Sequence, residues 1–520
     1  MSHSEADHDL LLHVRAMAPD LHLASLRERD GVAAWLQPDP AEPHRDRLGL
    51  LASPDASVWS TVEGTVEDAG QGRRVAHGPL SPVNAALLRT VFPDLAPRPL
   101  GLATSAGFGD RLGLATPGHV RALRAADPGA TIRPIFAQQS IREMTRTGRT
   151  PQQVVDDATW GTFASGWDAG VGGDADHLKT EQDVRACVDA GFAMFTFYPG
   201  DRVDDEASGA DGRELDAKLD ALPWDALGIS KGDLRRRYVG RRVDAGGTTL
   251  RLDDVTVVRA AAKYGAALAH AAHLHRVLLD TGAPHEIEVS VDETGTPTTL
   301  EEHAFLALEL ARLELPVVSL APRFVGRFEK GVDFRGDLDE LERTLEGHAR
   351  IARALGPYKL SLHSGSDKFS VYPLIAQATD GLVHLKTAGT SYLEALRVAA
   401  RHDPELFRAV LGLARERFET DRASYLIGAD LARVPTPSDL SDDELPGLLD
   451  DDDARQVLHV TYGSALDVFR PRLVELLQRE HEEHETVLER HFVRHLQPFV
   501  SNARHENARH ENARHEGEST

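Results

Sequence analysis

Short apolar runs and longer amphipathic stretches alternate along most of this chain. The runs fall at residues 100–103, 132–137, 192–197, 287–291, 317–320, 360–363 and 382–385. Each has the length of a buried strand. Segments with helical spacing lie between them, among them 257–279, 300–313, 337–355 and 391–401. Strand then helix, repeated, implies parallel strands joined by crossovers. Seven such runs with polar residues at their ends predict an α/β fold, a TIM-like (β/α)8 barrel.

The alternation occupies residues 96–401 and breaks at about 201–250, where charged, Gly-containing sequence reads as an insertion or lid. Residues 1–95 are rich in Pro, Asp and Arg and read as an N-terminal α/β cap. Residues 402–500 read as a helical extension, clearest at 405–418 and 473–495, with an acidic loop at 441–453 between. The stretch 501–520 carries a repeated Asn-Ala-Arg-His-Glu unit, a low-complexity tail that is disordered or loosely helical. Its histidines enter no site.

Composition narrows the function. The formal charge of −24 over 520 residues argues against a nucleic-acid partner. An anionic substrate would need a local cluster of cations. No run approaches the length of a membrane span, residues 1–9 are polar and acidic, and Cys187 is the single cysteine. A cytoplasmic protein acting on a small molecule is expected. Lysine is scarce beside arginine, so Lys179, Lys368 and Lys386 stand out.

Several motifs fail on context. Gly228-Ile229-Ser230-Lys231-Gly232 has no strand before its serine, as a hydrolase elbow needs. Gly107 to Gly113 is one residue too long for a dinucleotide fingerprint. His491 and His495 are four apart but lack the glutamate of a zincin helix. Strand ends are more informative. One apolar run ends in His363-Ser364-Gly365-Ser366-Asp367-Lys368, another in His384-Leu385-Lys386-Thr387, and Asp176-His177 precedes Lys179. Imidazoles from three strand ends of a barrel, His177, His363 and His384, suit a divalent cation such as Zn, Mn, Co, Ni or Fe. Glu286, Glu288, Ser290 and Asp292 alternate with Ile287, Val289 and Val291, so one strand face is acidic. Carboxylates inside a barrel are costly unless paired or used. Glu288 or Asp292 is therefore a candidate acid/base opposite Asp176. Arg142 and Arg323 follow strands and could clamp a carboxylate. Lys179, Lys368 and Lys386 are further candidate substrate contacts.

The blocks Pro134 to Ser140, Asp156 to Gly161, Asp174 to His177, Glu288 to Thr294, Leu362 to Pro373 and Lys386 to Tyr392 resemble the tagaturonate/fructuronate epimerase family, in order, over about 98–500. The resemblance implies a metal-dependent epimerase interconverting the keto-uronates D-tagaturonate and D-fructuronate. It further implies Asp176 as proton acceptor, Glu288 as proton donor, and His177 and His363 among the metal ligands. For the third ligand, His384 by its strand-end position competes with Glu329. The inverted carbinol is β to the substrate's ketone, so enolisation cannot invert it; retro-aldol cleavage and re-addition can. An aldolase releasing the fragments, or a non-catalytic sugar-acid sensor, are the rival readings. If Asp176 and His177 serve one site, the chain there must depart from a regular strand, whose neighbouring side chains face opposite ways.

Overall fold

In the computed structural model, residues 5–42, 45–425 and 427–517 are described. Eight parallel strands close a barrel: β1 (Ser105–Gly109), β2 (Arg133–Ser140), β3 (Gly172–Leu178), β4 (Met194–Phe197), β5 (Glu286–Ser290), β6 (Val317–Ala321), β7 (Lys359–Leu362) and β8 (Val383–Lys386). Each pairs with the next in chain order, and β8 closes on β1. Helices follow every strand, so the expected (β/α)8 architecture is what the chain adopts. The stretch between β4 and the long helix Asp254–Thr281 holds two 3-10 turns, three short α-helices and the hairpin Arg241–Asp244/Thr249–Leu252.

The first strand departs from expectation. Residues 100–103 form a turn, and β1 is the Gly-rich Ser105–Gly109. Space explains the choice of residues. A Cβ on Gly107 would lie 2.7 Å from the Gln138 side chain, and one on Gly109 would lie 2.6 Å from the Ala388 backbone. The apolar residues before it serve the barrel floor instead, where the Leu100 and Gly101 N–H groups donate to the Glu286 carboxylate at 3.0 and 2.7 Å.

Along the strands one face is aliphatic and lies beneath the helices, with Ile287, Val289, Leu320, Leu360, Leu362, Val383 and Leu385 buried. The lumen-facing set is polar: Ser105, Asp174, Asp176, Thr196, Glu288, Lys359, Ser361, His384 and Lys386 are all buried. Barrel interiors are usually filled by layers of branched aliphatics. Here the layers are hydrogen-bonded. Lys359 Nζ reaches Ser105 Oγ at 3.1 Å, Ser105 Oγ meets His384 Nδ1 at 2.9 Å, and Thr196 Oγ1 donates to Asp174 at 2.7 Å.

The N-terminal region is a five-stranded antiparallel sheet with a helix on each face. Its helix Pro82–Val91 packs through Leu88 and Phe92 on Trp160 and Phe163 of the barrel helix Pro151–Ala164. At the other end, Pro404–Asp421, Asp452–Val460 and Tyr462–Arg479 form a second core with the last barrel helix, Thr390–His402. The acidic stretch 441–453 is not a loop. It is a 3-10 turn, Asp442–Asp450, entered by a Ser441–Glu444 capping box, and Leu445, Leu448 and Leu449 bury its apolar side. The helix expected at 473–495 is interrupted at Glu480, and the following helix, His481–Gly517, includes the backbone of the repeat.

This final helix returns to the barrel. Gly118 admits Leu488, and Phe492 meets the His119 ring edge-on at 4.6 Å. It also holds the loop after β7. Asp367 accepts from Arg455 at 2.9 Å and lies 3.1 Å from His491 Nε2, while its N–H donates to His495 Nε2 at 3.1 Å. Removing one partner of a buried ion pair strands the other charge. Arg455→Met should therefore cost about 3–5 kcal/mol, measured as a lower urea midpoint together with faster amide exchange in the loop 364–371.

Candidate active site

At the carboxyl end of β3 the chain turns irregular. His177 has φ +59, and the pairing of β3 with β4 shifts register between Ala175 and Leu178. A positive φ costs a residue with a Cβ. It lets consecutive side chains face one site, as their joint use requires: Asp176 Oδ2 lies 3.0 Å from His177 Nδ1. β7 delivers His363, whose Nε2 lies 3.3 Å from His177 Nδ1 and 3.4 Å from Asp176 Oδ1. The Nδ1 of His363 lies 3.3 Å from Glu288 Oε1 of β5. Asp292, the other candidate on that face, is 4.0 Å from His363 Nδ1 and accepts from Ser290.

Lys386, near the end of β8, ties these groups together. Its buried Nζ contacts Asp174 at 2.8 Å, Asp176 and Glu288 at 3.0 Å each, and Thr196 Oγ1 at 2.8 Å. Burial alone would push the carboxyls up. The Lys386 ammonium overrides it, with His177 and His363 helping at Asp176, and both Asp176 and Glu288 stay below the usual carboxylate range. Burial likewise opposes charging of His363, yet the Asp292 and Asp176 carboxylates raise it to about 10.

The donor set suits a cation. Ligand atoms of Asp176, His177 and His363 lie within 4.8 Å of one another. His177 Nε2 and Glu288 Oε2 are buried without a hydrogen-bond partner. Buried polar atoms of this kind ordinarily have one. His384 does not join the cluster. Two residues before Lys386 on the same strand face, it sits deeper, with Nδ1 at Ser105 and Nε2 3.8 Å from Asp174. Glu329, the rival, is occupied elsewhere by the Gly428 N–H and Gln456 amide at 3.0 Å and by Arg335 at 3.5 Å. Asp367, His491 and His495 match the same geometric pattern. Their nitrogens are used, however: His495 Nε2 accepts from the Asp367 N–H while its Nδ1 donates to the His491 carbonyl, and His491 Nε2 bonds the Thr390 hydroxyl.

Above the cluster a cavity of about 830 Å³ opens, lined by Arg142, Lys179, Tyr198, Asp292, Glu293, Arg323, Lys330, Ser364 and Tyr425. Arg142 pairs with Glu293, Lys179 with Asp201 at 2.6 Å, and Arg323 donates to the Gly326 carbonyl. Lys368 is elsewhere. Its buried ammonium donates to the carbonyls of Glu329, Val332 and Ser366, and burial lowers it to about 7. A lysine caged by three carbonyls fixes its loop and has no donor left for a substrate.

Sequence reasoning missed other lining groups. Gln138 is buried with both amide atoms unpartnered beside Asp176 and Lys386, and the pair of Arg111 and Glu143, at 2.6 Å, lines the same inner recess. Tyr198 stacks on His177 at 4.5 Å. Tyr425 and His459 enter from the C-terminal extension. Gln138 and Glu293 lay inside the quoted blocks; Tyr425 and His459 had no local signal, since only long-range packing brings them in.

Comparison with known proteins identifies the family of the chain. The profile of the family described as tagaturonate epimerase, UxaE, matches residues 47–499. The chain is 45% identical over 415 residues to the tagaturonate/fructuronate epimerase of Thermotoga maritima, covering 79% of this chain and 84% of that protein. The glycerol-complexed crystal structure of fructuronate-tagaturonate epimerase UxaE from Cohnella laeviribosi superposes with a TM-score of 0.85 at 35% identity, covering 95% of this chain and 99% of that one; its native crystal structure gives the same figures. With a family profile spanning most of its length and a relative this similar, the chain belongs to the tagaturonate epimerase family.

Proposed function

We propose that this chain interconverts D-tagaturonate and D-fructuronate by breaking and remaking one carbon–carbon bond. One observation carries the reading: Asp176 and Glu288, from β3 and β5, share the Lys386 ammonium at the carboxyl end of the barrel. Barrel enzymes do their chemistry at this rim. His177 and His363, with Asp176 in reach, would hold a divalent cation, which when bound supplies Lewis-acid polarisation of the ketone oxygen. The third ligand is then Asp176 rather than His384.

Asp176, kept ionised, takes the proton of the β hydroxyl as the bond between the α and β carbons breaks. The bond's electrons stay on the α carbon as an enediolate, and the β carbon becomes an aldehyde. After the aldehyde turns, the α carbon re-adds to its other face and the new alkoxide takes a proton from Glu288. Glu288 is itself held ionised, so that proton must reach it first. Lys386 touches both carboxylates and can pass one proton from Asp176 to Glu288, leaving both ionised again after each turnover. In the return direction the two exchange roles.

Asp176→Asn and Glu288→Gln should each lower kcat by about 10²–10⁴-fold with circular dichroism unchanged, read as loss of the equal-mass epimer by chromatography. Two smaller fragments in place of an epimer would make the protein an aldolase. Exhaustive chelation should abolish turnover and one of Zn, Mn, Co, Ni or Fe should restore it; activity that survives complete metal removal would sink the ligand assignment. A carbon isotope effect is expected at both carbons of the cleaved bond, and its absence at either excludes cleavage as a rate-contributing step.

A further inference from the structure

Another part of the cavity wall carries a different charge pattern. Glu293, on the loop after β5, has its Oε1 at 3.2 Å from Arg142 Nη2 and 3.6 Å from Lys330 Nζ, with Oε2 at 3.4 Å from Arg142 Nη1. The same Oε1 is 3.6 Å from His177 Nε2. Arg142, Glu293 and Lys330 are 28%, 25% and 21% exposed, so all three meet the cavity. Lys330 also donates to Ser364, next to His363, at 2.9 Å. Two cations therefore face one partly exposed carboxylate, held by a planar guanidinium in the two-pronged way that matches carboxylates.

We propose that Arg142 and Lys330 are the clamp for the substrate carboxylate, and that Glu293 is a resident carboxylate which the substrate displaces. This rests on the reading of the substrate as a hexuronate. In a hexuronate one carbon separates the inverted carbinol from the carboxylate, so the clamp must lie within a few ångströms of the acid/base pair. Glu293 meets that requirement, being one imidazole away from Asp176 through His177. The other cations near the cavity are engaged elsewhere: Lys386 with three carboxylates, Lys179 with Asp201, Arg323 with a carbonyl. The acidic floor formed by Asp176, Glu288 and Asp292 repels an anion, so the carboxylate end is turned toward Arg142 and the reacting carbinol toward the floor. A neutral ketose gains nothing from this wall. It would also leave Glu293 in place, where it narrows the cavity. The pair thus selects for charge as well as fixing orientation.

The test uses the full-length, metal-loaded protein with tagaturonate and with tagatose, in which a hydroxymethyl group replaces the carboxylate. R142M and K330M should each raise KM for tagaturonate at least tenfold, with a smaller change in kcat, and lower the selectivity for tagaturonate over tagatose by a similar factor. E293Q should lower KM for tagaturonate several-fold without loss of bound metal. R142K, which keeps the charge but not the fork, should fall between wild type and R142M and guards against misfolding as the cause. Equal losses on both substrates would overturn the clamp, and metal loss in E293Q would make Glu293 a ligand instead. Calorimetric binding of tagaturonate to E288Q and to E288Q/R142M reads the clamp without turnover. A tenfold weaker Kd in the double variant supports it, and equal or undetectable binding in both overturns it. If the wild type makes no fructuronate while that tenfold difference persists, the activity reading falls and the clamp stands.

Discussion

One ammonium among three carboxylates is the interaction on which this barrel's interior depends. Asp174, Asp176 and Glu288 come from two strands and converge on Lys386 from a third. A carboxylate that deep is tolerated only with a partner, and a single cation serves all three. Acidic groups remain in excess around it, so the site draws positive charge. That excess raises His363 and gives a metal ion an electrostatic reason to settle beside the imidazoles. It also obliges an anionic substrate to bring its own charge elsewhere, to the wall of Arg142 and Lys330.

The polar lumen has a second effect. Hydrogen bonds hold Glu286 at the floor, and above it link Lys359, Ser105 and His384, fixing the height and rotation of these lumen side chains. Buried polar networks are directional where aliphatic packing is not. The candidate groups thus rest on this column, and His177 takes a positive φ among them because two neighbours must face the same way.

Much of this was legible along the chain. Apolar runs with histidine at or near their ends gave away β7 and β8, because a strand buried under helices must be aliphatic on its outer face, whereas β3, Gly- and Asp-rich, showed only through its Asp176-His177 cluster. β1 was misplaced for the complementary reason: its residues are small where Gln138 and Ala388 crowd the barrel, and small residues carry no apolar signal. Lys368 and Lys386 looked alike in sequence. One lies on a strand, where period two sends it into the lumen, whereas the other lies in a loop that folds back on its own carbonyls. His384 and Asp176 differ in depth along their strands, and depth follows from the barrel's stagger, which no local pattern encodes. Tyr425 and His459 reach the cavity only through contacts made far along the chain.

The Asp367 anchor carries a consequence for the order of events during synthesis. The loop bearing His363 is fastened to Arg455, His491 and His495, residues that leave the ribosome more than eighty positions after it. All eight strands can have formed while that loop still lacks its fastening. The loop beside the candidate site is therefore fastened from the far end of the chain, and it lacks that fastening until the last helix has emerged and docked.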